Sequence, residues 1–156
     1  MAFHELVSLC TTINLRPRYS ETDKMGIVYH ANYLIWFHEA RDAMLEVLGI
    51  DICAAEVYGY KFPVTESYVR YRLPAHYGED VIVSAVPVIE DGQTNSVAKL
   101  RVRYRVQSAK TRQMLVEGET VNVITDSEGK LLLRLPLCFK PLASRLDAAC
   151  KQDFKV

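Results

Sequence analysis

The chain has 156 residues, 49% of them hydrophobic and 24% charged, which suffices for one domain with a buried core and excludes intrinsic disorder. Lys and Arg together number 19, as do Asp and Glu, so the formal net charge is zero. That balance gives no global argument for nucleic-acid or membrane-surface binding, and it protects weakly against self-association, which leaves room for an oligomer.

In chain order, Met1-Ala2-Phe3-His4-Glu5-Leu6 lacks the basic and apolar segments of a signal peptide, and no apolar run approaches membrane-spanning length. A cytoplasmic location without membrane insertion is therefore expected. Ile13 to Tyr19 is β-compatible, with Pro17 arguing for an edge or irregular strand. A loop follows from Ser20 to Ala31. Asn32 is placed to cap a helix running to Leu48, and Gly49 supplies its stop. Leu34, Phe37, Ala40, Met44, Leu45 and Leu48 recur at helical spacing as an apolar stripe, with Glu39, Arg41, Asp42 and Glu46 on the other faces.

After Gly59 the pattern becomes strand-like. Strands are predicted over Phe62–Arg72, Val81–Ile89, Val97–Val106 and Met114–Ile124. Glu90-Asp91-Gly92-Gln93, Gln107–Arg112 and Asp126-Ser127-Glu128-Gly129 read as the turns between or after them. The third strand alternates strictly, with Ala98, Leu100, Val102, Tyr104 and Val106 on one face and Lys99, Arg101, Arg103 and Arg105 on the other. Leu137 to Ala149 reads as a short terminal helix. Cys10, Cys53, Cys138 and Cys150 form no C-x-x-C pair and read as free thiols. Residues 1–156 thus read as a single α+β domain, one long helix followed by an antiparallel meander. One helix cannot cover both faces of such a sheet, so the sheet wraps around it and a partner subunit hides the rest.

The chemistry concentrates in Tyr19-Ser20-Glu21-Thr22-Asp23-Lys24-Met25-Gly26-Ile27-Val28-Tyr29-His30-Ala31-Asn32-Tyr33. It sets a carboxylate in a glycine-containing loop directly before a helix. Asp23 can act as nucleophile or general base, and the unpaired N–H groups of a helix's first turn can hold a developing oxyanion. The plainer alternative is an aspartate that caps a turn or helix. His30 can orient Asp23, contact a substrate carbonyl or shuttle a proton, or be an ordinary surface residue. Tyr19 can hydrogen-bond Asp23 or pack as a strand aromatic. Gly26 serves the tight loop. His30 and His38 have the wrong spacing for one helical face and lack a third ligand, so no metal site is expected.

That string, with Trp36-Phe37-His38-Glu39-Ala40-Arg41 behind it, resembles the hotdog-fold thioesterases of the 4-hydroxybenzoyl-CoA thioesterase superfamily. The closest resemblance is to the acyl-CoA thioesterase branch associated with Tol–Pal gene clusters, whose pattern Tyr-x-x-x-Asp-x-x-Gly-x-Val-Tyr-His-x-x-Tyr is complete here. The resemblance implies a five-stranded antiparallel sheet around a central helix, dimers paired into tetramers, and active sites at the dimer interface. It places the catalytic aspartate on Asp23, the carbonyl-polarising backbone amide near His30 or Ala31, and supporting roles on Tyr19 and on the His30 side chain. It implies hydrolysis of an acyl-CoA thioester with no cofactor. Glu39 and Glu46 then read as helix-surface or interface residues, since Asp23 fills the carboxylate role.

Arg101 and Arg103 of the basic stripe, with Arg70 and Arg72, are candidates to bind the phosphates of coenzyme A. The preferred reading of the stripe is a solvated sheet face paired with Glu117 and Glu119. Trp36, Phe37 and Phe62 are candidates for an acyl pocket or for the core. An acyl-carrier-protein thioester is an alternative substrate, and being acidic it would make activity strongly salt-dependent. A non-catalytic acyl-CoA-binding module and a dehydratase are the remaining alternatives. No P-loop or G-x-G-x-x-G occurs, and no nucleic-acid partner is expected.

Overall fold

The computed structural model describes residues 3–90 and 99–153. Six strands, β1 (Phe3–Glu5), β2 (Thr11–Leu15), β3 (Val64–Tyr71), β4 (Val81–Glu90), β5 (Lys99–Ser108) and β6 (Met114–Val123), build one sheet. Every pairing is antiparallel, in the order β1-β4-β5-β6-β3, with β2 also beside β4. β1 pairs with Val88–Glu90 and β2 with Val81–Ala85, so the two are consecutive halves of one edge, broken by the 3₁₀ turn Val7–Leu9. The five strands expected from the sequence are therefore present, and β1 is a sixth that the sequence pattern did not place.

The edge strand differs from its expected bounds. It ends at Leu15, because Pro17 has no N–H to offer a ladder and Tyr19 begins the 3₁₀ turn Tyr19–Glu21. The turn at Asp91-Gly92-Gln93, and Val97 and Ala98, lie outside the described residues. From Lys99 onward β5 follows its alternation: Leu100, Val102, Tyr104 and Val106 are buried, and the basic residues face the other way.

Helix α1 (Asn32–Val47) lies against β2 and β4, α2 (Ile52–Val57) follows it, and α3 (Lys140–Asp153) closes the described chain. α1 ends as expected: Gly49 adopts φ +83, and Ile50 N–H returns to the Leu45 carbonyl at 2.9 Å. Its start is a correction. Ala31 is the N-cap and Asn32 the first helical residue, whose side-chain amide donates to the Glu21 carbonyl at 2.7 Å instead of capping. α2 went unpredicted; Asp51 caps it by accepting from Ala54 N–H at 2.9 Å.

The apolar stripe of α1 is rotated from its expected position. Tyr33 and Trp36 are buried and Leu34 is exposed, while Phe37, Ala40, Met44 and Leu45 face the core as predicted. Arg41, expected on an outer face, is 4% exposed. It is sustained there by Asp42 at 2.9 Å, His38 at 2.9 Å and the face of Phe62. Phe37 stacks on Tyr104 of β5 at 4.5 Å between ring centroids and sits over Gly118 of β6.

The opposite face of the sheet carries an ion-pair network. Arg103 bridges Glu5 at 2.9 Å and Glu119 at 3.1 Å, Arg105 meets Glu5 at 2.5 Å, and Arg101 pairs with Glu119. Glu119 pairs with the stripe as expected. Glu117 turns instead to Arg72 at 2.7 Å, and Glu5 on β1 takes its place. No described helix is long and apolar enough to cross a membrane.

Candidate functional site

The loop before α1 is a small hairpin. Thr22 and Val28 form an antiparallel bridge, Asp23 N–H donates to the Ile27 carbonyl at 3.0 Å, and Gly26 N–H returns to the Asp23 carbonyl at 3.0 Å. Gly26 adopts φ +73 with open space around it, so the turn demands glycine for its backbone and not for lack of room. The Asp23 side chain helps to make the turn, Oδ1 accepting from Met25 N–H at 2.7 Å. Its second oxygen has no hydrogen-bond partner among the described residues.

The hairpin is tied on two sides. Val28 N–H donates to the Ala75 carbonyl at 2.9 Å and Ile27 bridges His76, which fixes it to the segment between β3 and β4. On the other side Tyr29 N–H donates to the Glu21 carbonyl at 2.8 Å beside the Asn32 amide. A cleft of about 270 Å³ results, lined by Asp23, Met25, His30, Tyr33, Tyr71 and Arg72 among others. It opens at the start of α1. Among the described residues, nothing accepts from the backbone N–H groups of His30 and Ala31. Those groups stand at the positive end of the helix dipole.

Asp23 and His30 are thus brought to one cleft, without a hydrogen bond between the imidazole and the carboxylate among the described residues. Tyr19 is not brought there. It is 77% exposed, its 3₁₀ turn aims its ring edge-on at Tyr77 at 5.8 Å, and it makes no hydrogen bond to Asp23. Arg72 lines the cleft while paired with Glu117. Arg70 is exposed on β3, and Arg101 and Arg103 belong to the network on the outer face of the sheet. Trp36 and Phe37 are core residues, and Phe62 packs against Phe139 and Arg41; none of the three lines the cleft.

Two tyrosines were not singled out from the sequence. Tyr71 donates its hydroxyl to the His30 carbonyl at 3.0 Å, and Tyr33 accepts from Ala75 N–H at 3.0 Å. Burial pushes both phenols above their ordinary range, so they are neutral hydrogen-bonding groups at physiological pH. Tyr33 was visible as the last fixed position of the motif, whereas Tyr71 reaches the site only through strand pairing.

Comparison with known proteins adds a family. Residues 17–148 match the model of the thioesterase-like superfamily. A Bacillus subtilis protein provisionally named acyl-CoA thioesterase YneP is 47% identical over 69 residues, 44% of this chain and 50% of that one, so the match spans about half of that relative. The 1,4-dihydroxy-2-naphthoyl-CoA hydrolase of Nostoc punctiforme is 28% identical over 126 residues, 80% of each chain. The solved DHNA-CoA thioesterase of Staphylococcus aureus superposes with a TM-score of 0.79 at 26% identity, covering 94% of this chain and 96% of that one.

Proposed function

Because the chain belongs to the thioesterase-like superfamily, matched over residues 17–148, we propose that it hydrolyses an acyl-CoA thioester to the free acid and coenzyme A. The observation that carries this reading is the shared cleft. Asp23, with one carboxylate oxygen unpartnered among the described residues, and His30 line it together at the start of α1, where the N–H groups of His30 and Ala31 likewise have no acceptor among the described residues. The carboxylate attacks the thioester carbon, giving an anhydride that water then opens, or it takes a proton from an attacking water. In either route the carbonyl oxygen gains negative charge, and backbone N–H groups at a helix start are suited to hold it. The thiolate of coenzyme A leaves and is protonated. Water is the only co-reactant.

Names of relatives support a coenzyme A ester and include an aromatic acyl group. The finer placement in the Tol–Pal-associated branch rests on the loop motif alone. A carrier-protein thioester is disfavoured, since Arg101, Arg103 and Arg105 already neutralise Glu5 and Glu119. We read the assembly as a homo-oligomer, a dimer of dimers. β3 is an exposed edge strand beside the cleft, carrying the exposed Tyr68 and Tyr71, and a second copy would cover it.

The test is thiol release from acetyl-, octanoyl-, palmitoyl-, benzoyl- and 1,4-dihydroxy-2-naphthoyl-CoA by the wild type and Asp23→Asn. Turnover of at least one ester is expected, with kcat falling by about 10²–10⁴-fold in the variant. Full activity of Asp23→Asn would falsify its assignment. A wild type that binds these esters but releases no thiol would be a binding module instead.

A further inference from the structure

Glu21 has no part in the chemistry above, yet four donors converge on it. Its carboxylate accepts from the Trp36 indole N–H at 3.0 Å and from Arg18 N–H at 2.6 Å. Its carbonyl accepts from Tyr29 N–H at 2.8 Å and from the Asn32 side chain at 2.7 Å. These donors belong to the chain entering the hairpin, the chain leaving it, and the first two turns of α1. Taking Asp23 as the reacting carboxylate, as proposed above, we infer that Glu21 is a positioning residue. It fastens the near strand of the hairpin to α1 and so sets the separation between the Asp23 carboxylate and the N–H groups of His30 and Ala31.

The geometry leaves this task to Glu21. The far strand of the hairpin is held by Val28 on Ala75 and Ile27 on His76. The near strand, which carries Asp23 two residues beyond Glu21, meets the helix through Glu21. Hydrogen bonds to a carboxylate are roughly twice as strong as neutral ones, and that strength suits a joint which must not slip. Catalytic geometry is exacting: a displacement of about 1 Å costs on the order of 10²-fold in rate. Trp36 is itself buried in the core, so the joint is anchored on a side chain that cannot swing away.

Glu21→Gln keeps the length of the side chain and one acceptor oxygen for Trp36. Its NH₂ group then faces Arg18 N–H, donor against donor, and that bond is lost. On the fastest ester of the panel, kcat is expected to fall by about 10- to 100-fold with KM within about threefold, in a protein that still melts cooperatively. Trp36 is the sole tryptophan, so its emission reads the joint directly and is expected to shift when the carboxylate is replaced. Trp36→Phe removes the other of the two carboxylate bonds, from the helix side, and because the joint needs both bonds it should lower kcat in the same way. The double variant should fall no further than the worse single one.

Trp36→Phe also decides the matter if Glu21→Gln fails to fold. The inference is overturned if Asp23→Asn is inactive while the folded Glu21→Gln, or Trp36→Phe in its stead, keeps kcat within about twofold of wild type. It is overturned too if the double variant loses the product of the single effects. Activity retained by Asp23→Asn, by contrast, sinks the reading of Asp23 itself, whatever Glu21 does.

Discussion

Gly118→Ala probes the closest approach of helix to sheet. A Cβ at position 118 would stand 2.4 Å from Phe37 Cε2, 2.8 Å from Cζ and 2.8 Å from the Tyr68 carbonyl oxygen. Carbon atoms in contact settle at about 3.5–4.0 Å, so the Phe37 ring must retreat by about 1 Å. It has little room to do so. The ring is 1% exposed and lies at 8° to the plane of Tyr104, with centroids 4.5 Å apart. The Tyr68 carbonyl belongs to the β3 backbone, which pairs with β6 at this register. Overpacking typically costs about 1–3 kcal/mol, and obstruction by both a locked ring and a backbone atom argues for the upper end. At about 2–4 °C per kcal/mol for a chain of this size, the thermal midpoint should drop by about 6–12 °C in scanning calorimetry. Phe37→Leu, added to Gly118→Ala, should recover part of that loss and give a coupling energy of about 1 kcal/mol or more. A midpoint within about 2 °C of wild type for Gly118→Ala would refute the packing argument.

Acid stability follows from Glu5. Burial raises its pKa, but the guanidinium groups of Arg105 and Arg103 outweigh that and hold it below its ordinary 4.5. A lowered folded-state pKa contributes stability above the unfolded value, lost as pH falls through the folded one. Midpoints measured downward from pH 5 should therefore fall less steeply in Glu5→Gln than in wild type, and parallel curves would count against the network. Arg72 lines the Asp23 cleft and Arg101 does not. Arg72→Ala should accordingly raise KM for coenzyme A esters by about tenfold, the loss of a charge-assisted hydrogen bond, while Arg101→Ala leaves it within about twofold. Equal effects on KM would contradict that division. Tyr71→Phe removes the hydroxyl that holds the His30 carbonyl. With one hydrogen bond worth about 1 kcal/mol, kcat should fall by about fivefold, and an unchanged kcat would leave Tyr71 a packing residue.

Features with a local cause were legible in the sequence. The stop of α1 needs only a residue that tolerates positive φ, and Gly49 supplies it at +83. The alternation of β5 is a property of the strand itself, so its buried face could be read directly. The rotation of α1 could not, because Leu34 and Trp36 are both plausible core residues on a helical wheel. Tertiary bonds decide between them: Tyr33 reaches Ala75, 42 residues away, and Trp36 reaches Glu21, and these turn that face inward. Arg41 is buried for a similar reason, since Phe62 offers it an aromatic face from a segment about twenty residues downstream. Asn32 has a side chain suited to a cap, but the Glu21 carbonyl competes for it and wins.

The candidate site divides along the same line. Asp23 and Gly26 were legible because a turn with an acidic first residue and a glycine fourth is a local device. Tyr71 was not, since its hydroxyl meets His30 across 41 residues, through the packing of β3 beside α1. A turn-forming and a reacting Asp23, which the sequence posed as alternatives, are compatible in this geometry. One carboxylate oxygen binds Met25 N–H, and the other has no partner among the described residues on a side chain that lines the cleft. A side chain pinned through one oxygen loses less rotational freedom when the other engages a substrate. On that argument the turn is a precondition of the chemistry, and a variant that frees the Asp23 side chain should lose rate even with the carboxylate retained.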